Sequence, residues 1–172
     1  MNLAETIIAK AVNWYEQQCY EVTGNRGPCI DMIHELYNQA WIEDHTSEAY
    51  CAEFVSVVLK QAFGEFGKSA PIYTASAVGM LNAARAKNIT IDKRATPGAV
   101  FYKKSSAAGS SGHVGIVTKI DGSDKFYTIE GNARDPNTGR EGVVNLIRKF
   151  STDDSIKIIH VENYVKIDSR SN

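Results

Sequence analysis

Leu3, Ile7, Ala11, Val12, Tyr15 and Cys19 recur at spacings of three and four, which predicts one buried face of an amphipathic helix over 3–19. A glycine-rich turn follows. Pro28 then suits a first helical position, where a missing N–H costs nothing, and Ile30, Ile33 and Tyr37 form the inward stripe of a second helix. The polar break IEDHTSE (42–48) leads into a third helix striped by Phe54, Val55, Val58, Leu59 and Ala62, with Ser47 as its expected N-cap. A fourth, shorter helix is expected over 75–87, with Val78, Met80 and Leu81 available for packing.

After Asn88 the pattern turns β-prone. The turn signal Pro97-Gly98 precedes AVFYK (99–103), and HVGIVTKI (113–120) and KFYTIE (125–130) read as two strands around DGSD. Gly122-Ser123 fits a type II′ hairpin turn, which wants glycine first. VVNLI (143–147) and SIKIIHVENYV (155–165) are further strands; 105–112 and 131–142 read as loops. Helices first and antiparallel strands second predict an α+β fold. With neither internal repeats nor a long linker, residues 1–172 are expected to form a single domain.

Composition narrows the partners. The net charge of −1 gives no basic footprint for nucleic acid. No apolar run approaches the roughly 18 residues of a membrane span. The N-terminus lacks a basic region and carries Glu5 early, unlike a signal peptide, so synthesis in the cytoplasm is expected. Three cysteines without a CxxC pair argue against a disulfide framework, and reduced thiols are the expectation.

Cys51 near the start of the third helix is the candidate nucleophile. A helix N-terminus carries unpaired N–H groups and partial positive charge, which activate a thiol, although Glu48 and Glu53 act against this. A buried cysteine filling the core is the plain alternative. With a symmetric turn at Asp121–Asp124, Ile120 pairs with Lys125, and the same register sets His113 opposite Asn132 with Glu130 as its diagonal neighbour. Such Cβ atoms lie ~5 to ~8 Å apart, within reach for a base oriented by a third polar group. A three-residue loop would displace the pairing by one. Cys29 is the rival thiol, but no histidine is expected to meet it; Cys19 reads as core. His34 beside Asp31 and Glu35 reads as solvated, His45 lies in a charged loop, and His160 has no evident partner. DPNTGRE (135–141) is faintly like a calcium loop but reads as a turn, and no metal or cofactor is expected.

These motifs, taken in order, resemble the CHAP family (cysteine, histidine-dependent amidohydrolases/peptidases) and its NlpC-type relatives, over 24–148. GNRGP (24–28) is similar to the family's asparagine-arginine-glycine-proline segment, and YCAEFVSVVLKQA (50–62) to its nucleophile helix. TPGAVFY (96–102), GHVGIV (112–117), TIEGN (128–132) and REGV (140–143) resemble its strands and the segment after them. The resemblance implies a papain-like fold with helices packed on an antiparallel sheet. It implies Cys51 as nucleophile, His113 as base, Glu130 as orienting group and Asn132 as a further polar group, with Asn25, Arg26 and Tyr50 near substrate. Three positions depart from the family pattern: Tyr50 stands for tryptophan, Glu53 for a small residue and Ala99 for aspartate.

The implied substrate is a peptidoglycan amide bond. A phage lysin released by a holin, or a wall-degrading effector exported by a secretion system, would both fit, with any phage, secretion or immunity partner unspecified. Two other readings stand beside it. One is a catalytically silent structural or binding module, which would not need all four polar residues. The other is a protease or deamidase toxin acting on a protein.

Overall fold

A computed structural model of the protein describes residues 1–38, 49–106 and 112–164. Helix α1 (Leu3–Glu16) opens with a capping box in which Asn2 accepts from the Glu5 N–H at 3.0 Å and Glu5 accepts from the Asn2 N–H at 2.9 Å. It buries Leu3, Ile7 and Ala11 as the spacing predicts, together with Trp14. The helix stops at Glu16, short of the expected 19, where Gln18 takes a left-handed backbone (φ 53°). Cys19 therefore lies in the following loop. It is buried as expected, but it is not a free thiol: Cys19 and Cys29 form a disulfide, with Cα atoms 5.2 Å apart. The expectation of reduced thiols fails for this pair and holds for Cys51.

Helix α2 (Pro28–Asn38) buries Ile30, Ile33 and Tyr37. Helix α3 (Cys51–Gly64) is buried around its whole circumference for its first nine residues, the mark of a helix enclosed by neighbours. It packs against α1 and α2 on one side and the sheet on the other. Helix α4 (Ala77–Ala86) is N-capped by Ser76, whose hydroxyl accepts from the Gly79 N–H at 3.1 Å.

The strands β1 (Ile91–Asp92), β2 (Val100–Lys103), β3 (His113–Asp121), β4 (Lys125–Arg134), β5 (Glu141–Lys149) and β6 (Lys157–Ile159) form one antiparallel sheet in the order β1-β6-β2-β3-β4-β5. The expected α+β architecture is therefore observed. The polar stretch 131–142 is only partly a loop, because β4 and β5 extend into it from both sides. The expected strand over 155–165 is shorter, and Val161–Asn163 turns into a 3-10 helix.

Alternation divides the sheet into two faces. Val100, Tyr102, Val114, Ile116 and Ile129 join the helices in the main core. Ala99, Phe101, Val117 and Phe126 face the other way and form a second cluster with Ile156 and Ile158, backed by Phe150. Both faces are covered, and the site grows from the second face where it meets the start of β3.

The β3–β4 hairpin has a three-residue turn, since Asp121 pairs with Lys125 and Gly122 adopts φ 77°. This shifts the register by one from the type II′ expectation. A bulge between Val117 and Lys119 then shifts it back, so that Val117 faces Thr128 and Ile116 faces Ile129. From Val117 to Ile116 the register is the expected one, and His113 meets Glu130 across the strands at 2.7 Å.

Candidate active site

Cys51 is the first residue of α3, preceded by Tyr50 at the cap position, which supplies no side-chain cap. Ser47, the expected cap, lies outside the described residues, as does His45. As the first helical residue, Cys51 belongs to the turn whose N–H groups have no intrahelical acceptor. Its sulfur sits at the positive end of the helix, and the residue as a whole is 6% exposed.

His113 opens β3, close enough to the Cys51 side chain for that group to raise the imidazole pKa. Its Nε2 lies 2.7 Å from Glu130 Oε2, which leaves Nδ1 as the ring nitrogen for the thiol. Glu130 reaches across because Gly115, the β3 residue on the same face, has no side chain: a Cβ there would come within 2.7 Å of both Glu130 Cγ and Phe101 Cε1. Phe101 flanks the imidazole, with ring centroids 6.0 Å apart.

Glu130 is fully buried, and three further donated hydrogen bonds hold it as a carboxylate. Thr128 Oγ1 donates to Oε1 at 2.5 Å, Arg148 Nε donates to Oε1 at 2.8 Å, and an Arg148 terminal nitrogen pairs with Oε2. Burial alone would raise the Glu130 pKa; the bonds from His113 and Arg148 outweigh it and hold the group at about 2. Burial likewise disfavours imidazolium at His113, but the neighbouring Cys51 and Glu130 groups raise it to about 9. Arg148 stacks its guanidinium over Phe101 at 5.4 Å. Sequence reading did not single out Arg148. Its signal was a cation in the alternating run Val144, Leu146, Arg148, where a third apolar residue would continue the face.

A cleft of about 440 Å³ opens beside His113, lined by Lys103, Asn132, Arg134, Leu146 and Arg148 among others. Asn132 lines the same cleft as His113, with a left-handed backbone (φ 53°) where β4 slips register against β5. Tyr50 is placed differently from a substrate contact: it is fully buried, its hydroxyl donating to Glu21 Oε1 at 3.2 Å. Asn25 is half-buried with φ 58°, its N–H bonded to Glu21 Oε2 at 2.9 Å. Arg26 pairs with Asp31 at 2.6 Å.

Glu53 and His34 correct two expectations. Neither is solvated: both are fully buried, with His34 Nδ1 2.6 Å from Glu53 Oε2 and His34 Nε2 3.1 Å from the Asn25 carbonyl oxygen. The charge of Glu53 is thus directed at α2, and its hydrogen-bonded partner is His34. His160 also has partners, Asp92 at 2.8 Å and Glu162 at 3.0 Å, which join β1 to the turn after β6. Ala99 lies in the second apolar cluster. The 135–141 segment is a tight turn between β4 and β5, closed by the Gly139 N–H on the Asp135 carbonyl at 2.8 Å.

A CHAP domain profile matches residues 10–132, which covers most of the chain and includes Cys51, His113, Glu130 and Asn132. No curated protein matches it. Among solved structures, an N-acetylmuramoyl-L-alanine amidase from Staphylococcus aureus is similar at 15% identity and TM-score 0.45, over 69% of this chain and 32% of its own. The crystal structure of Ly7917 is similar at 14% identity and TM-score 0.40, over 88% of this chain and 62% of its own. The chain therefore spans about a third of the first and under two thirds of the second. On the match over residues 10–132, with the fold to accompany it, this chain belongs to the CHAP domain family.

Proposed function

We propose that the chain is a cysteine-dependent amidase or endopeptidase of peptidoglycan, acting through one catalytic domain over 1–172. The observation that carries this reading is an imidazole held at 2.7 Å by a buried, ionised carboxylate, in the neighbourhood of Cys51 at a helix N-terminus. An imidazolium beside the sulfur stabilises its thiolate. The thiolate attacks the amide carbonyl, and the Cys51 N–H at the helix start is placed to meet the developing oxyanion. His113 gives its proton to the departing amine as the C–N bond breaks, leaving a thioester on Cys51. The neutral imidazole then takes a proton from water, whose oxygen attacks the thioester and releases the acid and the thiolate.

Glu130 fixes the ring and favours imidazolium, while Asn132, from the cleft wall, contacts substrate. Asn25 and Arg26 belong to the same reading as neighbours of the substrate path. Release to the cell wall by a holin or a secretion machine completes it. A protein substrate in place of peptidoglycan uses the same chemistry, and product analysis separates the two. Purified peptidoglycan digested by the wild type is expected to yield new free amines, identified by mass spectrometry, that are missing with Cys51→Ala. Unchanged muropeptides from a folded wild-type protein would reject peptidoglycan as the substrate.

A further inference from the structure

The cleft beside His113 is lined by charge of one sign. Among the described residues its ionisable lining is Lys103, His113, Arg134 and Arg148, with no carboxylate. The chain as a whole is balanced, with 19 lysines and arginines against 20 aspartates and glutamates. Strand register accounts for the arrangement. Lys103, the last residue of β2, lies directly opposite His113 in the antiparallel ladder. Side chains so related leave the sheet on one face, with Cβ atoms ~5 Å apart. Arg134 ends β4 two residues beyond Asn132 and faces Glu141 across the ladder to β5.

We infer that this cleft recognises a free carboxylate on the substrate, close to the scissile amide, and that Lys103 and Arg134 are its specificity-determining residues. The four cationic side chains are not equally available. Arg148 and His113 are both committed to the buried Glu130. Lys103 meets Asp153 at 3.2 Å and Arg134 meets Glu141 at 2.7 Å, but neither of those carboxylates lines the cleft. The two cations are also partly exposed, Lys103 by 37% and Arg134 by 69% of their side chains. Ion pairs open to water in this way are weak, so a substrate carboxylate can take the place of either partner. Lys103 also stands across from His113, and like charges directly opposite destabilise a sheet whenever the imidazole is protonated. An anion bound between them relieves that cost. Stem peptides of peptidoglycan offer carboxylates near their amide bonds, and amidation removes the charge at nearly constant shape.

This inference rests on the peptidoglycan reading for its substrate arm but not for its alkylation arm. The first arm compares two muropeptides that are identical except that the stem carboxylates are free in one and amidated in the other. Wild-type kcat/KM is expected to favour the free acid at least about fivefold, the scale of a charge-assisted contact at a partly exposed site. Lys103→Met combined with Arg134→Met should bring that ratio to within about twofold of unity. Lys103→Arg, which keeps the charge, is expected to keep the preference. The second arm compares alkylation of Cys51 by anionic iodoacetate and by neutral iodoacetamide. The ratio of the two rates should fall at least about twofold in the double variant, and should fall in the wild type as salt is raised. A wild type indifferent to amidation, a preference that survives in the double variant, or an alkylation ratio that the double variant leaves unchanged would each overturn the inference. If the alkylation ratio falls as expected but the wild type cleaves neither muropeptide, the anion-selective cleft stands and the substrate reading falls.

Discussion

Four donors converge on the Glu130 carboxylate, from His113, Thr128 and both arms of Arg148, and this convergence makes a fully buried charge tolerable. A buried carboxylate costs several kcal/mol unless it is paired and hydrogen-bonded. The pairing has a consequence for catalysis. The Glu130 charge favours imidazolium, so Glu130→Gln lowers the His113 pKa from about 9. The wild-type pH–rate profile should lose activity as pH rises through about 9, where His113 gives up the proton it delivers to the leaving amine. In Glu130→Gln that limb moves to lower pH, and a limb that stays in place would show that Glu130 does not govern His113. Gly115→Ala makes a steric test of the same contact. Its Cβ would meet Glu130 Cγ and Phe101 at 2.7 Å, and the displaced carboxylate should cost about 100-fold in kcat, the scale of a 1 Å misplacement near the chemistry. Cys51, His113 and Glu130 were legible in the sequence because helix start and strand register place them. Arg148 was not, since it sits on β5 and meets Glu130 from the next strand. His34 was misread as solvated because its acidic neighbours Asp31 and Glu35 were weighed above its place one step after Ile33.

At the scale of elements, the hairpin shows how a turn can be misjudged while the site register is right. Gly122 favours either a two- or a three-residue turn, and the choice depends on the whole sheet. The bulge near Thr118 absorbs the difference before β3 reaches His113. The Cys19–Cys29 link was illegible for another reason. Cysteine spacing alone does not specify pairing, and the loop folds back only because Cys19 accepts from the Val143 N–H at 2.8 Å and Tyr20 bridges to Gly142 on β5. A disulfide closing so short a loop is worth about 3 kcal/mol in chain-entropy terms. Cys29→Ser should therefore lower unfolding free energy by about that amount in a urea titration. A variant as stable as the wild type, with the wild type indifferent to reductant, would show that the bond does not contribute.

Across the whole molecule, stability should follow the two groups of shifted titrations. Asp31, Asp92, Glu130 and Asp153 have carboxyl pKa values below their ordinary ones. Their contribution is full above the unfolded values of 3.8 to 4.5 and is lost as pH falls below them. His34, His113 and His160 are raised, so theirs is full below 6.5 and is lost at higher pH, through about 9 for His113. Thermal melting should accordingly peak between about pH 5 and 6.5; a stability maximum above pH 8 would contradict this assignment. Activity and stability thus overlap on the neutral side, where the imidazolium is still present. The account as a whole depends on Cys51 as nucleophile, and titration of that thiol tests it most sharply. With the other two cysteines joined, substoichiometric iodoacetamide near neutral pH should label Cys51, as mapped by mass spectrometry. Amine release from peptidoglycan should fall in proportion to the fraction labelled. Full carbamidomethylation of Cys51 with undiminished release would contradict the account.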